Sequence, residues 1–511
     1  MTDSLQQGKH KELFGHPMGL YVLFITEMWE RFSFYGMKAL LLFYLTRYHL
    51  FSDSDGYLLL GSYAALVYAM PVLGGHIADK YIGFRKAIVF GAILLVLGHI
   101  GMAYEGHQAT MVDGVVKQDT FALQVFYFSL ALIVMGVGFL KSNISSIVGE
   151  LYATNDPRRD SGFTIFYMGI NVGALLATII CVYLGEEYGW GYGFGAAGIG
   201  MFLGLLVFIF GKPYLEGKGE PISLEVINKR KFGIKLEHWI YILAVLGTFV
   251  VWQMVQSHSI VQAILMVAGA GSLAYIIYYS AKFLDKVARE RLVALTILIL
   301  FTVVFWALFE QAYMSLNLFA ERIIELNVFG YELKPGWFLG LNAFFIITLA
   351  IPFARLWVWL DKKNLNPNTS YKFAYALILV GLGFGALVLG GKLSGEAGKV
   401  ASYWLVLAYL LHTCGELSLS PIGLSVVTKL SPGKIVGFMM GVWFLATASS
   451  EFIAAKISDM ASVDLLDQGN FVLAKAGYID LYEYLFYAGI ACGLLLILLT
   501  PFIKKLMHGI K

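Results

Sequence analysis

The feature that most constrains this chain is a succession of long apolar segments running from one end to the other. A helix needs roughly 20 mainly apolar residues to cross the core of a bilayer. Segments of that length lie at about 17–45, 57–79, 86–104, 122–148, 160–183 and 190–211. After a polar loop come 239–256 and 259–281, and then 291–320, 335–360, 372–391, 401–426, 433–456 and 482–503. The pattern predicts an all-α membrane protein of fourteen spans. Composition agrees: 59% of the 511 residues are hydrophobic and 14% charged, against about 25% charged in soluble domains. That balance excludes a disordered chain, a soluble dinucleotide-binding enzyme and a nucleic-acid-binding domain, and makes the lipid bilayer the surroundings. Cys181, Cys414 and Cys492 all sit in apolar stretches, so neither a disulfide framework nor a metal centre is expected. The polar N-terminal residues and the long segment after them, which ends in no small-residue cleavage pattern, read as a permanent span rather than a secretion signal. Pro71, Pro352 and Pro421 fall inside spans, where neighbouring helices can satisfy the freed backbone groups.

Loop charge sets the orientation. With the N-terminus in the cytoplasm, the cytoplasmic loops receive Lys9, Lys11, Lys80, Arg85, Lys86, Arg158, Arg159, Lys229, Arg230 and Lys231. They also receive Lys282, Lys286, Arg289, Arg291, Lys362, Lys363, Lys429, Lys434, Lys504, Lys505 and Lys511. Most of the 37 basic residues thus fall on one side, which supports an even number of spans with both ends inside. The spans group as six in residues 1–211, two in a linker over 212–290, and six in residues 291–511. Two six-helix halves suggest a central path worked by alternating access. The inserted hairpin has no Asp, Glu, Lys or Arg between residues 239 and 281, so it is expected to be peripheral and lipid-facing.

Charged groups at membrane depth are costly and face a cavity or a partner. Numbering the twelve core spans without the hairpin, the first holds Glu27, Glu30 and Arg31 on one helical face, with Lys38 two turns on. Four charges in one stripe exceed what a static ion-pair lattice for packing would need. The second span offers Tyr68, the fourth Lys141 and Asn143, the fifth Tyr167 and Asn171. The seventh offers Trp306 and Glu310, the eighth Asn342, the tenth Glu416 and Ser420, and the eleventh Trp443. The N-terminal half is then basic (Arg31, Lys38, Lys141) and the C-terminal half acidic (Glu310, Glu416). That separation suits a zwitterion, its carboxylate toward the first and its amine toward the second. Tyr and Asn would orient amides, and Trp306 and Trp443 would line side-chain pockets, although each aromatic taken singly is equally well a packing residue. A carboxylate that loses a cationic neighbour in a desolvated setting tends to take up a proton. Pairs such as Lys141 with Glu416, or Lys38 with Glu310, would give such a coupling.

The motifs that carry these residues resemble a known family. The run Glu27-Met-Trp-Glu30-Arg31-Phe-Ser-Phe34-Tyr35-Gly36 is similar to the ExxERFxYYG motif of the proton-dependent oligopeptide transporters, the peptide transporter branch of the major facilitator superfamily. Phe166-Tyr167-Met-Gly-Ile170-Asn171-Val-Gly173 resembles the family's FYxxINxG signature. Gly74-Gly75-His-Ile-Ala78-Asp79 with Gly83, Arg85 and Lys86 resembles the superfamily's loop between the second and third spans, and Gly415-Glu416-Leu-Ser-Leu-Ser420-Pro421 resembles the tenth span. The likeness covers essentially the whole chain, including a hairpin that bacterial members share. It implies a major facilitator fold of two six-helix bundles plus the hairpin, and proton-coupled import of di- and tripeptides across a bacterial inner membrane. Protons would be the coupling ion, with no other cofactor.

The resemblance also implies roles. Glu27, Glu30, Arg31, Lys38, Lys141, Glu310 and Glu416 would serve proton coupling and gating. Tyr35, Tyr68, Lys141, Tyr167 and Asn171 would contact peptide on the N-terminal side. Trp306, Asn342, Glu416, Ser420 and Trp443 would do so on the C-terminal side. Three departures stand out: Lys38 where Arg is common, which cannot clamp a carboxylate bidentately; Phe34 where Tyr is usual; and Ser142 where Pro is frequent. A different cargo on the same fold, such as nitrate or amino acids, is the main alternative. An enzyme is not expected, since no HExxH or Cys/His metal spacing occurs. No repeated filter motif suggests a channel, and Gly136-Val-Gly138 reads as helix packing rather than a nucleotide loop. Peripheral surfaces leave room for a homo-oligomer.

Overall fold

The computed structural model describes residues 12–153, 156–221, 223–463 and 470–510, without the side chains of residues 224, 421 and 424. Lys9, Lys11, Lys511 and the Pro421 side chain therefore lie outside the described residues. The architecture is all-α, with strands of only two or three residues that form four short hairpins and one parallel pair, Ile324–Glu325 with Val400–Ala401, among the described residues. In chain order the helices are α1 (Met18–Phe43), α2 (Asp53–Ile77), α3 (Phe84–Met102), α4 (Thr120–Glu150), α5 (Arg159–Tyr188) and α6 (Trp190–Phe210). Then come the short α7 (Leu224–Asn228), α8 (Leu236–Val255), α9 (His258–Phe283), α10 (Lys286–Phe309) and the short α11 (Ser315–Arg322). The last five are α12 (Gly340–Lys362), α13 (Thr369–Leu393), α14 (Ser402–Leu430), α15 (Val436–Ser458) and α16 (Phe471–Leu506).

Among the described residues, 13 helical stretches are long and apolar enough to cross a membrane. The 26-residue α1 is long enough too, but Glu27, Glu30, Arg31 and Lys38 keep it below that apolar threshold. With it the fourteen expected spans are present. The span expected at 291–320 is present as the helical stretch Lys286–Arg322, in which α10 ends at Phe309, residues Glu310–Tyr313 form a 3-10 turn, and α11 follows. One expected bound needs correction. The last span begins at Phe471 rather than 482. Its first turns hold Lys475 and Asp480, which an apolar window skips.

The chain packs as two compact units. The first holds the chain up to Leu40, Ala69–His107 and Asp119–Gln253. Here α3 and α4 meet backbone to backbone: a Cβ on Gly136 would lie 2.7 Å from the Gly91 carbonyl oxygen. Gly138 abuts Met70 of α2, so the Gly136-Val-Gly138 run packs helices. The helix α8 lies on α3 and α4, with Tyr241 against Phe90 (4.7 Å between centroids), Phe249 against Phe128 (5.4 Å), and Lys86 Nζ 2.7 Å from Glu237. After α2 a π-helical turn (Ala78–Ile82) ends at Gly83, whose φ is +78° and whose Cβ position is 2.6 Å from the Pro221 nitrogen. The Arg85 backbone N–H donates to the Gly219 carbonyl (2.8 Å), and its side chain pairs with Glu220 (2.6 Å). The loop between α2 and α3 is thus a charge-anchored turn.

Outside the spans, Arg158 ties the Glu12–Pro17 hairpin down through Glu12 and the Gly15 carbonyl, both at 2.9 Å. Bonds from the Arg158 side chain and backbone hold the Asp156 carboxyl below its usual range.

The second unit holds Leu41–Tyr68, Gln108–Gln118 and the chain from Met254. Its tightest approach is α13 to α16, where a Cβ on Gly489 would lie 2.7 Å from Gly381 Cα. The segment Leu41–Tyr68 is fastened by two ion pairs. Arg47 pairs with Glu321, and Arg322 grips the fully buried Asp53 with both terminal nitrogens at 2.6 and 2.8 Å. Asp53 also accepts the Val463 N–H at 3.2 Å. The helix α9 packs on α15 through Tyr275 and Phe438 (4.7 Å). Both inserted helices are open to their surroundings, with 22% of the apolar stretch of α8 and 11% of that of α9 buried, against 72% for α4. The two arms of the hairpin belong to different units.

Candidate functional site

In the first unit the site starts on α1. Glu27, Glu30 and Arg31 occupy one face at spacings of three and four residues. The Arg31 guanidinium Nε lies 3.0 Å from Glu27 and 2.5 Å from Glu30. All three side chains are buried, as are Lys38 and Phe34. The ring of Phe34 lies 5.5 Å from the Arg31 guanidinium carbon. A hydroxyl is lost where Tyr is usual, and a cation-facing ring is kept. Tyr35 is half-buried and packs edge-on against Phe34.

Lys141 reaches this cluster from α4, within electrostatic range of Arg31, Glu30, Glu27 and Lys38. Three cations and two carboxylates are thus gathered in one unit. The helix α4 runs unbroken through Ser142. Asn143, beside Lys141, is buried and donates to the Phe139 carbonyl at 2.7 Å. The helix α5 brings Tyr167 within electrostatic reach of Glu27. It can come that close because Gly169 and Gly173 face the α1 backbone, a Cβ on Gly169 lying 3.0 Å from the Phe24 carbonyl. Tyr167 is exposed, and the Asn171 amide donates to the Tyr167 carbonyl at 3.2 Å.

In the second unit the site centres on Glu416 of α14. The Asn342 amide of α12 donates to Glu416 Oε2 at 2.8 Å and to Thr413 Oγ1 at 3.2 Å. Glu310 is an electrostatic neighbour of Glu416, so two carboxylates share this region. Glu310 sits where α10 breaks. The break is held by Gln311, whose amide donates to the Ala454 carbonyl (3.0 Å) and whose oxygen accepts from Ser315 (2.6 Å) and Ser458 (2.7 Å).

Trp306 is half-buried and packs against Phe305 and Phe309, each at 5.3 Å. Trp443 is buried and its ring lies against Gly423, leaving no room there for a Cβ. Ser420 is exposed on α14. Tyr68 is half-buried and belongs to this unit although α2 carries it.

Sequence reasoning missed Thr413, Gln311 and Glu451. Thr413 lies one turn before Glu416 on the same face, a spacing that could have found it. Glu451 is fully buried in α15, and an acid at membrane depth is itself the signal. Gln311 gave no signal, since a neutral amide does not stand out in an apolar run. Among the described residues, no group of three or more His, Cys, Asp or Glu could hold a metal ion.

Chemically, the first unit offers a guanidinium and two ammoniums beside buried acids, and the second offers the Glu416 carboxylate, oriented by the Asn342 amide, with Glu310 near it. Comparison with known proteins follows the same line. A family model described as "POT family" matches residues 85–471. A Bacillus subtilis protein named an uncharacterized transporter, YclF, is 38% identical, with 98% of this chain and 97% of that one covered. A di-/tripeptide transporter of Lactococcus lactis subsp. cremoris is 34% identical over 98% of both chains. The crystal structure of a peptide transporter POT in complex with sulfate superposes with a TM-score of 0.79 at 35% identity, covering 98% of each chain.

Proposed function

This chain belongs to the POT family, an all-α membrane family of major facilitator type, and from that premise we propose that it imports di- and tripeptides with protons by alternating access. The two working halves are residues 1–211 and 291–511, joined by the insert at 212–290. Arg31, Lys38 and Lys141 receive the peptide carboxylate side, with Tyr35, Tyr68, Tyr167 and Asn171 along the backbone. Glu416 receives the amine, with Asn342, Ser420, Trp306 and Trp443 around the side chains. Glu27 and Glu30 exchange protons as Arg31 is engaged or released, and Glu310 with Lys38 takes part in gating. The basic loops on the side of the termini support a cytoplasmic placement of both ends in a bacterial inner membrane. Self-association uses peripheral surfaces away from the path.

The observation that carries this reading is the buried set of Glu27, Glu30 and Arg31 with Lys141 in range. Buried ionisable groups at membrane depth mark ion and substrate pathways. The relative named a di-/tripeptide transporter adds the cargo class.

Uptake of a labelled dipeptide into proteoliposomes under an inward proton gradient tests it. Wild-type protein accumulates the dipeptide, unlabelled dipeptides compete, and nitrate and free amino acids do not. Glu416→Gln loses gradient-driven accumulation. Undiminished accumulation by that variant would remove Glu416 from the mechanism, and competition by nitrate instead of dipeptide would reassign the cargo.

A further inference from the structure

Residues 229–235 form a hairpin that the transport reading does not use. Arg230 pairs with Lys235 and Lys231 with Ile234 in antiparallel register, and the chain runs on directly into α8. Phe232 and Gly233 make the two-residue turn, with φ of +55° and +79°. Left-handed backbone at both turn positions favours Asn, Asp or Gly, and a bulky aromatic there is an outlier. The ring stands at the tip, 84% exposed.

The same pair recurs. Phe14-Gly15 turns the hairpin before α1 and Phe329-Gly330 turns a hairpin ahead of α12, both with positive φ. Their rings are 87% and 99% exposed. In water such a ring gains no burial to offset a disfavoured backbone. Among headgroups and the first acyl carbons it does, because an aromatic side chain partitions to that boundary.

Charge sets the 229–235 hairpin apart. Lys229, Arg230, Lys231 and Lys235 give four cations in seven residues, and none forms an ion pair with a described residue. Two neighbouring acids are taken, Glu237 by Lys86 at 2.7 Å and Glu220 by Arg85 at 2.6 Å, while Glu225 of α7 forms no ion pair with a described residue. The hairpin is fixed to α8, since Trp239 Nε1 donates to the Lys231 carbonyl and the Leu236 N–H to the Lys229 carbonyl, both at 2.9 Å. Farther along α8, Leu243, Leu246 and Val250 are all exposed at helical spacing. Cations, a wedge-like ring and an apolar strip therefore follow one another along a single element.

We propose that this hairpin and the exposed face of α8 bind an anionic phospholipid. Lys229, Arg230, Lys231 and Lys235 hold its phosphate, Phe232 lies at the headgroup boundary, and an acyl chain follows Leu243, Leu246 and Val250. Clustered cations beside a span attract acidic headgroups, and the attraction grows with each added charge.

The test uses the full chain, purified in non-ionic detergent and titrated with phosphatidylglycerol or phosphatidylcholine under native mass spectrometry. Wild-type protein binds phosphatidylglycerol more tightly, and inorganic phosphate does not displace it. The combined variant Lys229→Gln, Arg230→Gln, Lys231→Gln and Lys235→Gln weakens phosphatidylglycerol binding by about two to three orders of magnitude, leaving phosphatidylcholine binding and melting temperature unchanged. Lys229→Arg with Lys231→Arg and Lys235→Arg retains the preference. Equal binding of the two lipids, unchanged affinity in the Gln variant, loss in the Arg variant or displacement by inorganic phosphate would each overturn the proposal.

Discussion

Arg31 serves two buried carboxylates at once, and that single fact governs much of what the first helix can do. A charge removed from water is tolerated only while its partner stays. Arg31→Ala should therefore lower stability by about 3–5 kcal/mol, read as thermal or denaturant unfolding in detergent. Adding Glu27→Gln should restore part of the loss, because one orphaned charge disappears. No recovery would mean that the guanidinium acts by packing. Asp119, outside the spans, shows the same logic at a helix start. Its carboxylate accepts from the Ala122 N–H that begins α4 and from the side chain and backbone of His107, which together hold its pKa down to about 2 from the usual 3.8. A depressed acid stabilises the fold above its ordinary pKa and loses that contribution as the pH falls through the depressed value. Hydrogen-exchange protection around residues 106–123, relative to the intrinsic rate at each pH, should thus fall between about pH 4 and pH 2. In Asp119→Asn, which keeps an acceptor oxygen but no charge, that acid step should vanish.

At the scale of elements, the break in the α10–α11 segment is where a local arrangement fixes the position of Glu310. Gln311→Leu would strip partners from two buried hydroxyls and a carbonyl, each costing about 1–3 kcal/mol when left unmade. The variant should melt lower and transport more slowly; an unchanged melting point would show that the break is held by packing alone. The sequence does not announce this break, because residues 292–309 carry no charge and neither Pro nor Gly marks positions 310–314. The start of α16 was hidden for the opposite reason: Lys475 and Asp480 dilute the apolar signal. In the fold Lys475 is buried and donates to Ser394 Oγ (2.8 Å) and to the carbonyls of Gly395 and Gly398, so a cation ties the loop after α13 to α16. Span existence was legible throughout because bilayer length and apolarity are local properties. The α1 cluster was legible because acids three and four residues from an arginine must share a face. The Asn342 contact to Glu416 depends on how two helices separated by more than seventy residues rotate toward each other, and no local pattern encodes that.

For the whole molecule, the sequence division into six, two and six spans and the packing into two compact units describe different things. One follows the order of the chain. The other follows contact, and it assigns Leu41–Tyr68 together with the chain from Met254. Arg322 with Asp53, and Arg47 with Glu321, account for that assignment physically. In the function proposed above, the buried acids of α1 and the carboxylates of the second unit put proton and peptide on one cycle. The most direct measurement records the two fluxes at once in proteoliposomes holding a pH-sensitive dye, with a dipeptide added outside and no imposed gradient. The account predicts acidification of the lumen that begins with the dipeptide, scales with its uptake and is lost in Glu30→Gln. Dipeptide entry with no change in lumenal pH, or acidification driven by nitrate rather than by the dipeptide, would contradict it.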